Sequence, residues 1–166
     1  GLDIDGRHSL TYLDFPIRDG ELFYGTGERF NSFCQNGSRI MMWNVDVQCV
    51  NNSLNNEFCD KPQGYKNIPL IHSTNGYSMF FNTFLPVEFD FGKTDPHRLI
   101  TEIYGEALDL FNYTGSTREN IKKYHRLTGK PFIPPKWAFD YWIGGGWPVW
   151  NTPDTASAFE KINKVI

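Results

Sequence analysis

Val87-Glu-Phe-Asp-Phe91 alternates apolar and acidic residues strictly, which puts Val87, Phe89 and Phe91 on one face of a strand. His8-Ser-Leu-Thr-Tyr-Leu-Asp-Phe15 alternates in part and stops at Pro16, and Arg39-Ile-Met-Met-Trp43 is a short apolar run. The runs 68–73 and 77–82 flank Thr74-Asn-Gly76. Asn-Gly between two apolar runs predicts a hairpin, because both central residues of a type I′ turn need positive φ. Runs at 99–104 and 107–113 complete a set of short strands, spaced as in an antiparallel sandwich. An Asn-rich polar stretch between Val47 and Asn67 interrupts them. It is too long for an ordinary hairpin connection, and a loop of that length is expected to be functional or disordered.

The period then changes. Ser116-Thr-Arg-Glu119 predicts a capping box, with Ile121, Tyr124, His125 and Leu127 following at helical spacing. Gly129 is expected as a left-handed C-cap. A rigid connector follows, Lys130-Pro-Phe-Ile-Pro-Pro135, and then Trp137-Ala-Phe-Asp-Tyr-Trp-Ile143 reads as a buried strand leading into Gly144-Gly-Gly146. From Asp154 onward, Ala158, Ile162 and Val165 share one helical face. Strand, loop and helix make one β/α unit, which cannot cover both faces of a parallel strand, so the chain is expected to stop inside a larger fold. The boundaries drawn this way are a partial sandwich over 1–115, a helix and Pro-rich connector over 116–136, and a truncated β/α unit over 137–166.

With 166 residues, of which 40% are hydrophobic, the chain can bury one core and part of a second. Aromatics stand at 16%, including 14 Phe, 8 Tyr and 5 Trp. That excess favours strands, and aromatic rings are also what pyranose faces stack on. The net charge of −3 comes without a Lys/Arg cluster, so the footprint of a nucleic-acid binder is missing. No apolar run approaches a membrane span, and residues 1–19 carry charges instead of a signal-peptide core. The scattered His8, His72, His97 and His125 have no zinc-site spacing, and no cofactor is expected. Cys34, Cys49 and Cys59 make an odd count for a disulfide scaffold, although Cys49 and Cys59 flank the polar loop and could pair there. Sequons at Asn36, Asn51 and Asn112 point, as far as such short tripeptides can, to a secreted, periplasmic or secretory-pathway protein more than a cytoplasmic one.

Six short motifs occur in order: Tyr24-Gly-Thr-Gly-Glu-Arg-Phe30, Trp43-Asn-Val-Asp46, Tyr65-Lys-Asn-Ile-Pro69, Asn75-Gly-Tyr77 with Asn82-Thr83, Leu127-Thr-Gly-Lys-Pro131 and Pro134-Pro-Lys-Trp-Ala-Phe139. In this order and spacing they resemble family 31 of the glycoside hydrolases, which contains α-glucosidases and α-xylosidases. The resemblance spans roughly 22–166. It implies a mainly β chain: a galactose-mutarotase-like antiparallel β-sandwich followed by the first β/α unit of a (β/α)8 barrel. It further implies a retaining α-glycosidase whose two catalytic aspartates sit on later barrel strands, about 5 Å apart. No catalytic residue is therefore expected within these 166 residues, and the partners implied are an α-linked carbohydrate and the remaining barrel of the same protein.

The resemblance also marks substrate contacts. Asp46 matches the aspartate that the family's N-terminal loop extends over the active-site mouth, where a carboxylate accepts bonds from adjacent sugar hydroxyls. The residues after it depart from the usual Gly- or Thr-containing pattern, which makes unusual leaving-group recognition an expectation. Trp147, after the glycine run, matches an aromatic near the subsite wall, and Trp150 is a further candidate of that kind. Asp140 stands where the family usually has a small residue and is expected to be a buried, hydrogen-bonded carboxylate. Glu28 and Arg29, beside a tight glycine turn, are expected to form a structural ion pair. Tyr24-Gly-Thr-Gly27 lacks the spacing of a nucleotide-binding loop. The competing reading is a free-standing, non-catalytic carbohydrate-binding sandwich, which leaves Trp137 to Ile166 without a purpose. A purely structural or partner-binding β domain makes the ordered motifs coincidental.

Overall fold

A computed structural model describes residues 2–4, 8–29, 32–44, 64, 66–140 and 160. Its chain divides into two compact units, 1–130 and 131–166. The first holds nine strands among the described residues: β1 (Leu2–Ile4), β2 (His8–Pro16), β3 (Phe23–Gly27), β4 (Arg39–Met42), β5 (Asn67–Ser73), β6 (Tyr77–Phe81), β7 (Val87–Phe91), β8 (Arg98–Ile103) and β9 (Leu110–Thr114). They form a five-stranded sheet, β1-β2-β8-β7-β4, and a four-stranded sheet, β3-β5-β6-β9, with antiparallel pairing throughout. The expected antiparallel sandwich is thus present.

Alternation decides the core. Val87, Phe89 and Phe91 of β7 and Leu99, Thr101 and Ile103 of β8 are all buried. They meet Phe23, Ile40, Met42, Ile71, Met79 and Phe81 from the neighbouring strands. Phe89 lies edge-on to Phe81, with ring centroids 5.0 Å apart. Each such ring contributes about 1.5–3 kcal/mol by leaving water. The high Phe content is therefore spent first on the core.

The hairpin lies where Asn-Gly placed it, but its turn is different. Gly76 alone has positive φ (79°), and its N–H donates to Ser73 O across 3.2 Å. Ser73 and Tyr77 are paired, leaving a three-residue loop. That register suits an ordinary turn followed by one positive-φ glycine, so Asn75 is spared the left-handed conformation. Two strands went unread in the sequence, β1 and β3. The second carries Gly25, Thr26 and Gly27, all at positive φ, with a register shift between the two glycines. A bulged strand of this kind has no regular alternation to detect.

Helix α1 (Thr117–Thr128) starts on the expected capping box: Ser116 N–H donates to Glu119 Oε2 at 2.9 Å, and Glu119 N–H to Ser116 Oγ at 3.4 Å. Gly129 has positive φ, but its ψ of 157° is outside the left-handed helical region, because the chain turns straight into the Pro131 connector. Of the residues read at helical spacing, Ile121, Tyr124 and His125 are half-buried and Leu127 is 48% exposed; the buried helix residue is Asn120.

In the second unit, the strand expected over Trp137–Ile143 begins instead as a 3-10 helix, Lys136–Phe139. Ala138 N–H donates to Pro135 O, and Asp140 N–H to Trp137 O. Trp137 and Phe139 are 61% and 77% exposed. Asp140 is exposed too, contrary to the buried carboxylate expected there. A parallel strand needs hydrogen-bonding neighbours and cover on both faces, and the described residues of this unit contain no strand to supply them. The Pro134-Pro135 pair starts a tight turn locally. Residues 141–143, Gly144 to Gly146 and the helix expected from Asp154 lie outside the described residues, apart from Glu160.

Candidate functional site

β4 ends at Met42, inside the core, and the chain leaves the sandwich through Trp43 and Asn44. It returns through Gly64 and Lys66 into β5. Asn44 and Gly64 form a parallel bridge, so the outgoing and returning chains touch at their roots. Side chains strengthen the contact. Asn44 Oδ1 accepts from Asn67 N–H at 3.0 Å and from Asn67 Nδ2 at 2.5 Å. The same Nδ2 also donates to Gly64 O at 3.2 Å. With both its amide hydrogens engaged, Asn67 turns Oδ1 to the guanidinium of Arg29, which donates to it.

Arg29 ties in the end of β4 as well. Its guanidinium donates to Met42 Sδ at 2.7 Å and approaches Met41 O at 3.4 Å. Burial pulls its pKa down to about 10, still high enough to keep it cationic at neutral pH. Glu28 takes a different partner, with Lys66 Nζ 3.5 Å from its carboxylate. Where an ion pair between Glu28 and Arg29 was expected, the two thus take separate partners, Lys66 for Glu28 and Asn67 with the end of β4 for Arg29. The chain direction explains this: after the bulge at Gly25–Gly27, Glu28 N–H donates to Lys66 O at 3.0 Å, which brings residues 28 and 66 side by side.

The glycines of the motif are needed for this approach. A Cβ on Gly25 would come 2.3 Å from Leu70 O, one on Gly27 2.1 Å from Lys66 O, and one on Gly64 2.1 Å from Glu28 O. No side chain fits at those distances, and Gly25 and Gly27 have positive φ besides. Tyr24-Gly-Thr-Gly-Glu-Arg29 is accordingly a packing motif that seats one root of the polar loop.

Beside this frame lies an open groove of about 450 Å³, whose lining includes Trp43, Asn44, Asn67, Thr83, Phe84 and Leu85. Trp43 is half exposed and Phe84 fully so. Aromatic surface beside amide and hydroxyl groups is chemistry suited to a sugar, although the Asn67 amide and the Thr83 hydroxyl oxygen already serve internal bonds. Asp46 follows Asn44 by two positions, and Asp46, Trp147 and Trp150 all lie outside the described residues. So do Cys49, Cys59 and the sequon at Asn51. Asn36, of another sequon, uses its amide internally, accepting from Phe23 N–H and donating to Glu21 O, both at 2.8 Å.

Two other clusters resemble sites and are not. On the outer face of the five-stranded sheet, Arg39 pairs with Glu88 and lies 3.7 Å from Glu102. Asp90 there accepts from the N–H groups of Lys93 and Thr94 and from the Thr94 hydroxyl. These carboxylates hold strands and a turn. Among the described residues, no group of three or more His, Cys, Asp and Glu is arranged to hold a metal ion. His72, Ser78 and Asn120 have the composition of a nucleophile relay, with Ser78 Oγ 2.7 Å from His72 Nδ1. Ser78 is 0% exposed and Asn120 1%, so no substrate reaches them. The sequence analysis had not singled out Arg29 as a loop anchor, nor Asn67 or Phe84 at all. The position of Asn67 inside Tyr65-Lys-Asn-Ile-Pro69 was the available signal.

The family profile described as "Glycosyl hydrolase 31 N-terminal galactose mutarotase-like domain" matches residues 4–90. An α-xylosidase of Emericella nidulans is 33% identical over 138 residues, 82% of this chain and 16% of that protein. An α-xylosidase of Lactiplantibacillus pentosus is 35% identical over 74% of this chain and 15% of its own length. An α-glucosidase of Saccharolobus solfataricus is 33% identical over 86% of this chain and 20% of its own length. The chain thus spans a fifth or less of these relatives. Among solved structures, the Flavobacterium johnsoniae GH31 dextranase in complex with isomaltotriose superimposes with a TM-score of 0.65 at 29% identity, covering 82% of this chain and 16% of that one. A cycloalternan-degrading enzyme of Trueperella pyogenes reaches a TM-score of 0.72 at 19% identity, over 95% of this chain and 22% of that one, which is a likeness of fold. The sandwich, its glycine-seated loop roots and these similarities together assign the chain to glycoside hydrolase family 31, as that family's N-terminal galactose mutarotase-like domain.

Proposed function

We propose that the protein carrying this chain is a retaining α-glycosidase acting on α-xylosides or α-glucosides. The observation that carries this reading is the similarity, at 33–35% identity over most of this chain, to two α-xylosidases and an α-glucosidase. In this reading the nucleophile and the acid/base, two carboxyl groups about 5 Å apart, come from barrel strands beyond this segment. The segment itself contributes the sandwich and contacts to the sugar on the leaving-group side. Asp46 accepts hydrogen bonds from adjacent hydroxyls of that sugar, and Trp147 and Trp150 offer flat indole faces. Support for the Asp46 role comes from its place two residues beyond Asn44, whose amide is bonded into the frame of the sandwich.

The test uses the full-length protein and two substrate classes, α-linked disaccharides and aryl α-glycosides. Turnover of α-xylosides or α-glucosides with retention is expected. Asp46→Ala should lower kcat/KM for the disaccharide about 10- to 100-fold, by loss of charge-assisted hydrogen bonds, and leave the aryl glycoside little changed. Carbohydrate binding without turnover would instead mark a non-catalytic binding module. Equal losses on both substrates would show that Asp46 shapes its loop and does not read the sugar.

A further inference from the structure

Along β9 the face that meets the core turns polar. Leu110 packs on the core. Two residues on, the same face carries Asn112, opposite Met79 in the register, and two further on it carries Thr114, opposite Tyr77. Met79 is buried, yet Asn112 and Thr114 are both exposed, while Tyr113 between them is half-buried. β9 is the outermost strand of its sheet among the described residues, and water reaches this end of it. Neither the Asn112 amide nor the Thr114 hydroxyl makes a hydrogen bond among the described residues.

Asn112-Tyr-Thr114 is a sequon, the tripeptide in which a transferase reads an asparagine amide together with a hydroxyl two residues on. The period of the strand puts both groups on one side. The sequon at Asn36 is built differently. Its amide oxygen accepts from Phe23 N–H at 2.8 Å and from Cys34 Sγ at 3.3 Å, and its nitrogen donates to Glu21 O at 2.8 Å. Ser38 Oγ donates to Gln35 O at 2.5 Å. A sugar on the Asn36 nitrogen competes with the bonds that tie this turn to residues 21–23.

We propose that Asn112 carries an N-linked oligosaccharide and that Asn36 does not. The donor is a polyprenyl-pyrophosphate-linked oligosaccharide. Asn112 Nδ2 bonds to the anomeric carbon of its first sugar, and the bond from that carbon to the pyrophosphate oxygen breaks. The lipid pyrophosphate leaves with the electron pair, and the amide gives up one of its two protons. Such a donor is met on a secretory route, so the protein is one that enters it. Transfer takes place on the extended chain, and the part of the fold is to accommodate the product. At Asn112 the sugar enters solvent, displaces no core residue and covers an edge strand with a bulky polar group. None of this depends on the reading of Asp46.

The test uses the full-length protein from the organism that makes it. Trypsin releases Asn112 in the peptide Leu99–Arg118 and Asn36 in the peptide 30–39, each with one sequon. Peptide N-glycosidase in heavy-oxygen water converts a glycosylated asparagine to a labelled aspartate, which mass spectrometry reads. Labelled aspartate is expected at position 112, with an intact amide at position 36. Thr114→Ala should abolish the label and Thr114→Ser should keep it, with Tm little changed in both, because position 114 faces solvent. An intact amide at Asn112 in the natural protein would overturn the proposal, and so would a label at Asn36. A label that persists in Thr114→Ala would mark spontaneous deamidation and overturn it equally.

Discussion

The side-chain amide of Asn120 donates to Ser78 Oγ across 3.0 Å, joining α1 to β6 over 42 residues of sequence. The same amide donates to Gly115 O at 3.0 Å, so the first turn of the helix and the strand before it are held together. Both side chains are essentially inaccessible. Asn120→Ala improves local helix propensity yet should destabilise the domain by about 1–3 kcal/mol, since buried partners lose their donor. Urea denaturation followed by tryptophan-independent far-UV dichroism measures this. A loss below a few tenths of a kcal/mol would show that α1 is held by Tyr124 packing on Phe80 instead.

His72 faces the same contact. With Asn120 donating to Ser78 Oγ, the serine proton is left for His72 Nδ1, which suits a neutral imidazole. Burial pushes the His72 pKa below its ordinary value, with no charged partner contributing. A depressed folded-state pKa means that the unfolded chain binds the proton more readily. The stabilisation is therefore complete above the unfolded value of about 6.5 and is lost as pH falls toward the lower folded pKa. Denaturation midpoints should drop between pH 7.5 and 5.5. His72→Gln should flatten that part of the profile; an unchanged slope would show that His72 does not carry it.

Thr101 occupies a core position of β8, between Leu13 and Phe89 in the sheet register, and is fully buried. No hydrogen bond reaches its hydroxyl. Thr101→Val replaces that hydroxyl with a methyl of similar volume. It should stabilise the domain by about 1 kcal/mol, by removing an unsatisfied buried group. Thermal denaturation of the two proteins side by side gives the sign directly, and a lower Tm for the valine variant would mean that the hydroxyl has a partner.

Phe132, Ile133, Trp137 and Phe139 are exposed within 131–166, whereas 1–130 is a compact unit with its own core. The isolated 166-residue polypeptide should therefore associate in solution and show no glycosidase activity. The polypeptide 1–130 should be monomeric and unfold cooperatively. Sedimentation and melting curves of both compare these directly. A monomeric full chain melting as sharply as 1–130 would show that the aromatic segment finds its own cover.

Strict alternation in Val87–Phe91 and the Ser116–Glu119 capping box were legible because each depends on residues within a few positions. The hairpin at Asn75-Gly76 was placed correctly for the same reason, though its turn type depended on the Ser73–Tyr77 register, which is a property of two strands. β3 escaped notice because its glycines serve contacts with Leu70 O and Lys66 O, some 40 residues away. Helical spacing drew attention to Ile121, Tyr124, His125 and Leu127. The sheet beneath offers Ser78 as well as Phe80, and so Asn120 became the buried residue. The six ordered motifs were enough to identify the family, since they report ancestry whatever their contacts. That Arg29 turns to Asn67, and Asn67 to Asn44, was decided only by folding, because a hydrogen bond between distant segments has no periodicity along the chain and exists only once the strands bring its two ends within 3 Å.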